Sequence, residues 1–340
     1  MGKKIGIPRS LFYYKYYSLW KTFFEELGAE LVVSDRTSKK ILNDGSKYCI
    51  DESCLPIKIF HGHVENLKNR VDYIFVPRFT SISKGEYICP KFGGLPDMIR
   101  HNVPGLPNLI DTEINLIKGN SNMLKAVLEI GHYFCNDKKR IRMAFYKGMK
   151  DYNAFKNKEI NGMLPADILE GAKKNSCDKN TKLKIVIIGH VYNISDSFMN
   201  MNLISKIKNN NVKIITVEMI DKNLIDKKSQ TLSKKIFWNF GRKAIGGVLN
   251  IVERKDIDGI VYLMNFGCGI DSFVNSIVES RVREKSNIPY ITITLDEHSG
   301  DAGMDTRIEA FIDMIKRRKD NENNVSAHGK YIYCSQNPTG

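Results

Sequence analysis

Two blocks of alternating strand and helix, separated by a more helical and more basic stretch, predict an α/β protein built on two parallel sheets. Three observations carry this. The first 100 residues alternate short apolar runs with helical periodicity, the region after Asn108 turns helical, and from Leu183 the alternation resumes. The predicted organisation is an amino-terminal α/β domain over 1–120, a helical linking region over 121–182, a carboxyl-terminal α/β domain over 183–319 and a loose polar tail over 320–340.

Ile5 to Pro8 reads as the first strand. Tyr14 to Gly28 places Leu19, Phe23 and Leu27 on one helical face before a glycine stop. Leu31 to Val33 and Val71 to Pro77 supply further strands. Met123 to Phe134 and Ala166 to Lys174 are the clearest helices of the middle region, and Lys173 to Lys182 is a polar connection. The second block reads as strand Leu183 to Gly189, helix Ser197 to Asn209, strand Val212 to Val217 and a long helix Leu232 to Val252. Gly259 to Leu263, Ser272 to Glu284, Tyr290 to Leu295 and Ala302 to Lys319 continue the rhythm.

Composition narrows the functional classes. With 340 residues, 42% hydrophobic and 26% charged, the chain has the make-up of a folded globular protein rather than a disordered or disulfide-stapled one. No apolar run approaches the roughly 20 residues that span a bilayer, and the polar start after Met1 leaves no room for the roughly 7 to 15 apolar residues of a signal peptide. A cytoplasmic protein is expected. The net charge of +14 is spread along the chain instead of forming one stripe with interleaved aromatics, which disfavours nucleic acid and leaves an acidic partner or an anionic substrate open.

Motif searches exclude more than they find. There is no P-loop, no complete dinucleotide fingerprint around Gly267-Cys268-Gly269, no H-E-x-x-H, no C-x-x-C and no G-x-S-x-G elbow. Seven cysteines remain, at 49, 54, 89, 135, 177, 268 and 334, and in a reducing compartment they are free thiols or metal ligands. Prolines follow Cys54 closely and Cys89 directly, stiffening both loops. Cys268 follows a strand and precedes a helix expected to be capped by Asp271 and Ser272, which places it at the carboxyl edge of a sheet, where helix dipoles would favour a thiolate. Spacing alone leaves two readings of Cys54, Cys89 and Cys268 open: separated ligands of one metal site, or buried thiols acting as small hydrophobes. Cys135, Cys177 and Cys334 read as bystanders, with Cys49 intermediate.

The run Lys4-Ile5-Gly6-Ile7-Pro8-Arg9, the aromatic stretch Tyr13 to Trp20, Glu52-Ser53-Cys54-Leu55-Pro56 and Lys58 to His63 resemble the acyl-CoA dehydratase activase-related family. So do Val76-Pro77-Arg78, Tyr87-Ile88-Cys89-Pro90-Lys91-Phe92, Gly189 to Asn193, Phe266-Gly267-Cys268-Gly269 and Leu295 to Gly303. The resemblance runs from about residue 3 to residue 318 and belongs to the wider superfamily of 2-hydroxyacyl-CoA dehydratase subunits and double-cubane cluster proteins. It implies two flavodoxin-like or Rossmann-like domains with a helical insertion and a 4Fe-4S cluster in the cleft between them. The family's cysteine positions fall on Cys54, Cys89 and Cys268, and three protein ligands leave one iron open for chemistry. Because double-cubane members use more cysteines, the resemblance favours a single cubane.

The same resemblance implies an ATP-dependent activase, carrying its own cluster, as electron donor, and a homodimeric or heterodimeric assembly. It implies a dehydratase or reductase acting on a CoA-ester-like or other small substrate. The alternatives are a non-catalytic electron-transfer or scaffold protein and a small-molecule-binding α/β protein without a cluster. His190, Glu297 and His298 follow strands at a carboxyl sheet edge and are the candidate acid-base residues. His61 and His63 line the cleft or satisfy local polar groups; Arg9 and Arg78 hold an anion or pair with carboxylates.

Overall fold

The computed structural model describes residues 2–119, 121–172, 183–232 and 234–323. The chain starts with β1 (Lys4–Ile7), α1 (Tyr13–Glu26), β2 (Glu30–Val33), α2 (Lys39–Ser46), α3 (Leu55–Leu67) and β3 (Tyr73–Phe75). A short β4 (Arg78–Ser81), α4 (Pro90–Asn102), β5 (Asn108–Ile110) and β6 (Glu113–Asn115) complete the first block. The middle is helical: α5 (Ser121–His132), α6 (Lys138–Ile160) and α7 (Pro165–Leu169). The second block comprises β7 (Leu183–Gly189), α8 (Val191–Ser195), α9 (Leu203–Asn209), β8 (Val212–Thr216), α10 (Lys222–Ser229), α11 (Asn239–Ile251), β9 (Gly259–Asn265), α12 (Gly269–Lys285), β10 (Tyr290–Leu295) and α13 (Asp301–Asn323).

Both four-stranded sheets are parallel. The first has the order β2-β1-β3-β5 and the second β10-β9-β7-β8. Numbered within its own sheet, each reads 2-1-3-4, the start of the flavodoxin-like order, with the switch point between its first and third strands. The fold is therefore two flavodoxin-like or Rossmann-like α/β units with helices between them. In β7 and β9 nearly every residue is buried, as a strand covered on both faces requires. A further pair, β4 with β6, forms a small parallel sheet of its own.

The glycine stop after the first helix holds: Gly28 adopts φ +84°, and its N–H and that of Ala29 donate to the carbonyls of Glu25 and Phe24. Other boundaries moved for identifiable reasons. The expected helix Leu232 to Val252 begins only at Asn239, because the Tyr87 N–H donates to the Phe237 carbonyl and Asn239 N–H to the Tyr87 carbonyl, holding this segment extended. The expected helix Ser197 to Asn209 is broken by Met201 and Asn202 at positive φ, so only α9 is regular. Ala166 to Lys174 contracts to α7, closed by Gly171 at φ +70°. The 23-residue α6, which packs on α1, has no clear apolar stripe in the sequence, and α13 runs past residue 319 to Asn323. The expected connection 173–182 lies outside the described residues, as do Cys177 and Cys334. Among the described residues no helix is long and apolar enough to cross a membrane.

Candidate metal centre

Cys54, Cys89 and Cys268 occupy the same local position three times over: each is the N-cap of a helix, α3, α4 and α12 respectively. Proline stands in the first turn of α3 and α4, where its missing N–H costs nothing. At α12 the expected caps were Asp271 and Ser272; instead the Cys268 sulfur accepts from the Asp271 N–H at 3.5 Å, and the Ser272 hydroxyl donates to the Cys268 carbonyl at 3.0 Å. Cysteine is a weak capper, so three such caps leave helix N-termini facing sulfur that could carry charge.

Tertiary structure brings these caps together. Gly267, at φ +72°, turns the chain so tightly against the Cys54 loop that a Cβ there would lie 3.4 Å from the Glu52 carbonyl oxygen and 3.9 Å from the Cys54 Cα. Its left-handed conformation calls for glycine, while those distances would be ordinary van der Waals contacts for a Cβ. The Cys89 loop is stitched to the second block by the Tyr87 and Trp238 bridge and by a buried ion pair of Glu86 with Arg242. Two of the three thiols feel the charge of another: Cys89 is influenced by Cys54, and Cys268 by both Cys54 and Cys89. Burial, however, pushes all three thiols up from their ordinary value. Desolvation here opposes the helix dipoles expected to favour thiolates.

A carboxylate and an imidazole complete the cluster of polar groups. His190, N-cap of α8, lies with its Nε2 3.2 Å from Asp271 Oδ1. His190, Cys268 and Asp271 present ligand atoms all within 4.8 Å of one another. Asp271 is fully buried, and neither carboxylate oxygen receives a conventional hydrogen bond. The His190 ring is clamped between Tyr192, 4.8 Å away and nearly parallel, and Phe240 at 3.8 Å. Tyr192 faces Asp271 and all three thiols, which together with burial raise its hydroxyl far above the usual phenol range. The Lys91 ammonium approaches the Cys54 sulfur at 4.0 Å.

The remaining candidates divide. Glu297 receives both branches of an ion pair from buried Lys58, at 2.8 and 2.9 Å, four residues after Cys54 and across from the second block. His298 is 83% exposed, with Nε2 3.5 Å from Glu297. His61 and His63 are completely buried in α3. His63 bonds Ser34 at 2.9 Å and Thr37 at 3.0 Å, and burial drives it down to about 3; His61 bonds the Ile57 carbonyl and is lowered for the same reason. Both satisfy local polar groups. Arg78 makes two bonds to Asp97, at 2.7 and 2.9 Å, and so pairs with a carboxylate. Arg9 lies on the Tyr13 ring and bonds the Ser34 carbonyl. Cys49, pushed up to about 12 by burial, lies within reach of Lys58 and Cys54 charges, whereas Cys135 stands apart near Asp137. Tyr192, Asp271, Lys58 and Lys91 were not singled out by sequence. Asp271 and Tyr192 do follow the two strands that flank a switch point, which is the signal that marks them.

Two relatives match over short stretches: lactoyl-CoA dehydratase subunit alpha of Anaerotignum propionicum, 33% identical over 73 residues, and the putative dehydratase subunit YjiM of Escherichia coli (strain K12), 35% identical over 66 residues. These stretches cover 20% and 19% of this chain and 17% of each relative, so the chain aligns with a small part of the curated relatives it matches. Residues 4–220, well over half of the chain, match the family described as CoA enzyme activase uncharacterised domain (DUF2229). The chain therefore belongs to that family, within the group related to 2-hydroxyacyl-CoA dehydratases.

Proposed function

We propose that this protein is a cytoplasmic iron-sulfur component of the 2-hydroxyacyl-CoA dehydratase type. It accepts low-potential electrons from an ATP-dependent activase at a single 4Fe-4S cluster and reduces or dehydrates a small, CoA-ester-like substrate. The observation that carries the reading is the donor set: three half-buried cysteines, each heading a helix and electrostatically coupled, with, beside them, a buried carboxylate at Asp271 that receives no hydrogen bond. A buried carboxylate without a hydrogen bond is costly, and a cationic iron core would offset that cost while binding the sulfurs as thiolates. Cys54, Cys89 and Cys268 would hold the group, which supplies one-electron chemistry and an iron open to an outside ligand.

The protein's own residues do the rest. Phe240 and Tyr192 fix the plane of the His190 ring, and Asp271 orients its Nε2, which suits His190 to holding a proton for the substrate. Lys58 fixes the Glu297 carboxylate in its loop after β10, with His298 beside it as a solvent-facing proton carrier.

Anaerobic purification followed by iron and sulfide quantification and electron paramagnetic resonance tests the reading. About four irons and four sulfides per chain are expected. Protein without iron or sulfide, or a triple alanine variant at 54, 89 and 268 with unchanged content, refutes it.

A further inference from the structure

A cleft of ≈ 580 Å³, open mouth included, runs from Cys89 and His190 past Phe92 and Phe240 to Lys15 and Lys243. Lys243 stands one turn along α11 from Phe240, and Lys15 one turn along α1 from Phe12, which stacks on Phe92 at 4.6 Å. The charges at this place do not balance. Glu218 pairs with Lys156 at 3.1 Å and with Lys243 at 3.4 Å, and Lys156 also holds Glu159 at 2.6 Å. Three ammonium groups thus share two carboxylates. Lys15 makes no ion pair among the described residues; it approaches the Lys243 amine and lies over the Phe12 and Tyr16 rings at 5.8 and 5.2 Å.

We propose that this cleft binds a small organic anion, its carboxylate received by Lys15 and Lys243 and its apolar body held by Phe92 and Phe240 beside Cys89 and His190. Two neighbouring amines with one carboxylate between them lack a negative charge, and an aromatic wall rewards an apolar body. Burial pulls Lys243 down to about 8 and Lys15 below the ordinary lysine range, and a bound anion beside them would oppose that shift. The inference goes beyond the reading above, because the carboxylate it calls for is not the thioester carbonyl of a CoA ester, and rests on that reading only in placing the anion beside the cysteines.

Isothermal titration with benzoate and with benzamide, its neutral isostere, tests the idea on the whole chain, with iron measured on the same samples. Binding of the carboxylate needs no cluster, so a failure here is separable from absent iron. Benzoate is expected to bind at millimolar concentration or better and about tenfold more tightly than benzamide. Lys243→Met and Lys15→Met should each abolish that preference, while Lys243→Arg keeps it; circular dichroism checks that the variants fold. Absent benzoate binding, equal affinity for benzamide, or a preference that survives in a folded methionine variant overturns the proposal. The wild-type contrast alone decides if both methionine variants fail to fold.

Discussion

The two sheets share the strand order 2-1-3-4 and use their switch points in opposite ways. At the first, between β1 and β3, the residues at and beyond the strand ends turn inward: Leu11, Phe75 and Val76 are buried, and with Phe12, Phe60 and Trp20 they line an apolar cleft of ≈ 470 Å³, open mouth included. At the second, between β7 and β9, the following residues are His190, Gly267 and Cys268, tied by the Asn265 and Asn193 side chains at 2.8 Å. One crevice is lined by apolar side chains and the other carries polar groups. The first unit instead reaches that chemistry through Cys54 and Cys89, at the heads of helices outside its own crevice. Topology supplies a place for a ligand, and the side chains decide whether it is used.

The largest expected break in this comparison comes from the cysteines. Changing Cys54, Cys89 or Cys268 singly to alanine should lower bound iron several-fold, whereas Cys135→Ala leaves it at the wild-type level, as iron analysis of anaerobic preparations would read. Close behind is the crossing of α2 on α3, which positions the Cys54 loop. A Cβ at Gly45 would stand 1.8 Å from the Lys58 carbonyl oxygen, and one at Gly62 would stand 1.9 Å from that of Ile41. Gly62→Ala should destabilise the protein by about 3 kcal/mol or more in a urea melt, because both neighbours are backbone.

A third effect concerns the tie between the units. Glu297→Gln strands the buried Lys58 ammonium and should cost about 2–3 kcal/mol. The pairing Lys58→Met with Glu297→Gln should recover a part of that loss in a double-mutant cycle.

The smallest effect is one of pH. His63 falls from an ordinary 6.5 to about 3 on folding, so between these values the unfolded chain binds the extra proton. The stability it contributes is present above pH 6.5 and is lost as pH falls toward 3. His61 adds to the same trend, in the same direction. Denaturant melts across this window should show a shallower acid-side loss in His63→Gln than in the wild type.

Much of the fold was legible. Strands β7 to β10 read directly from apolar runs, and the glycine stop at Gly28 was visible because a left-handed residue has few substitutes. The helices α2 and α4 were not, since α2 is short and α4 contains Pro96 in its interior. At the site, the three cysteines and His190 carried sequence signals in their loops. Asp271 read as a cap, and only packing showed that it is buried beside His190 without a hydrogen-bond donor.

By itself the sequence determined the parallel α/β layers, through buried strand runs, and the strand-to-helix turn at Cys268, through flanking glycines that act over a few residues. Only the tertiary structure decided which loops meet. Cys54 and Cys268 are more than 200 positions apart, and Lys58 finds Glu297 across 239. Local propensities act within a turn or a strand, whereas the closeness of thiols, the orphaning of Asp271 and the surplus lysine in the cleft arise from burial shared between distant segments.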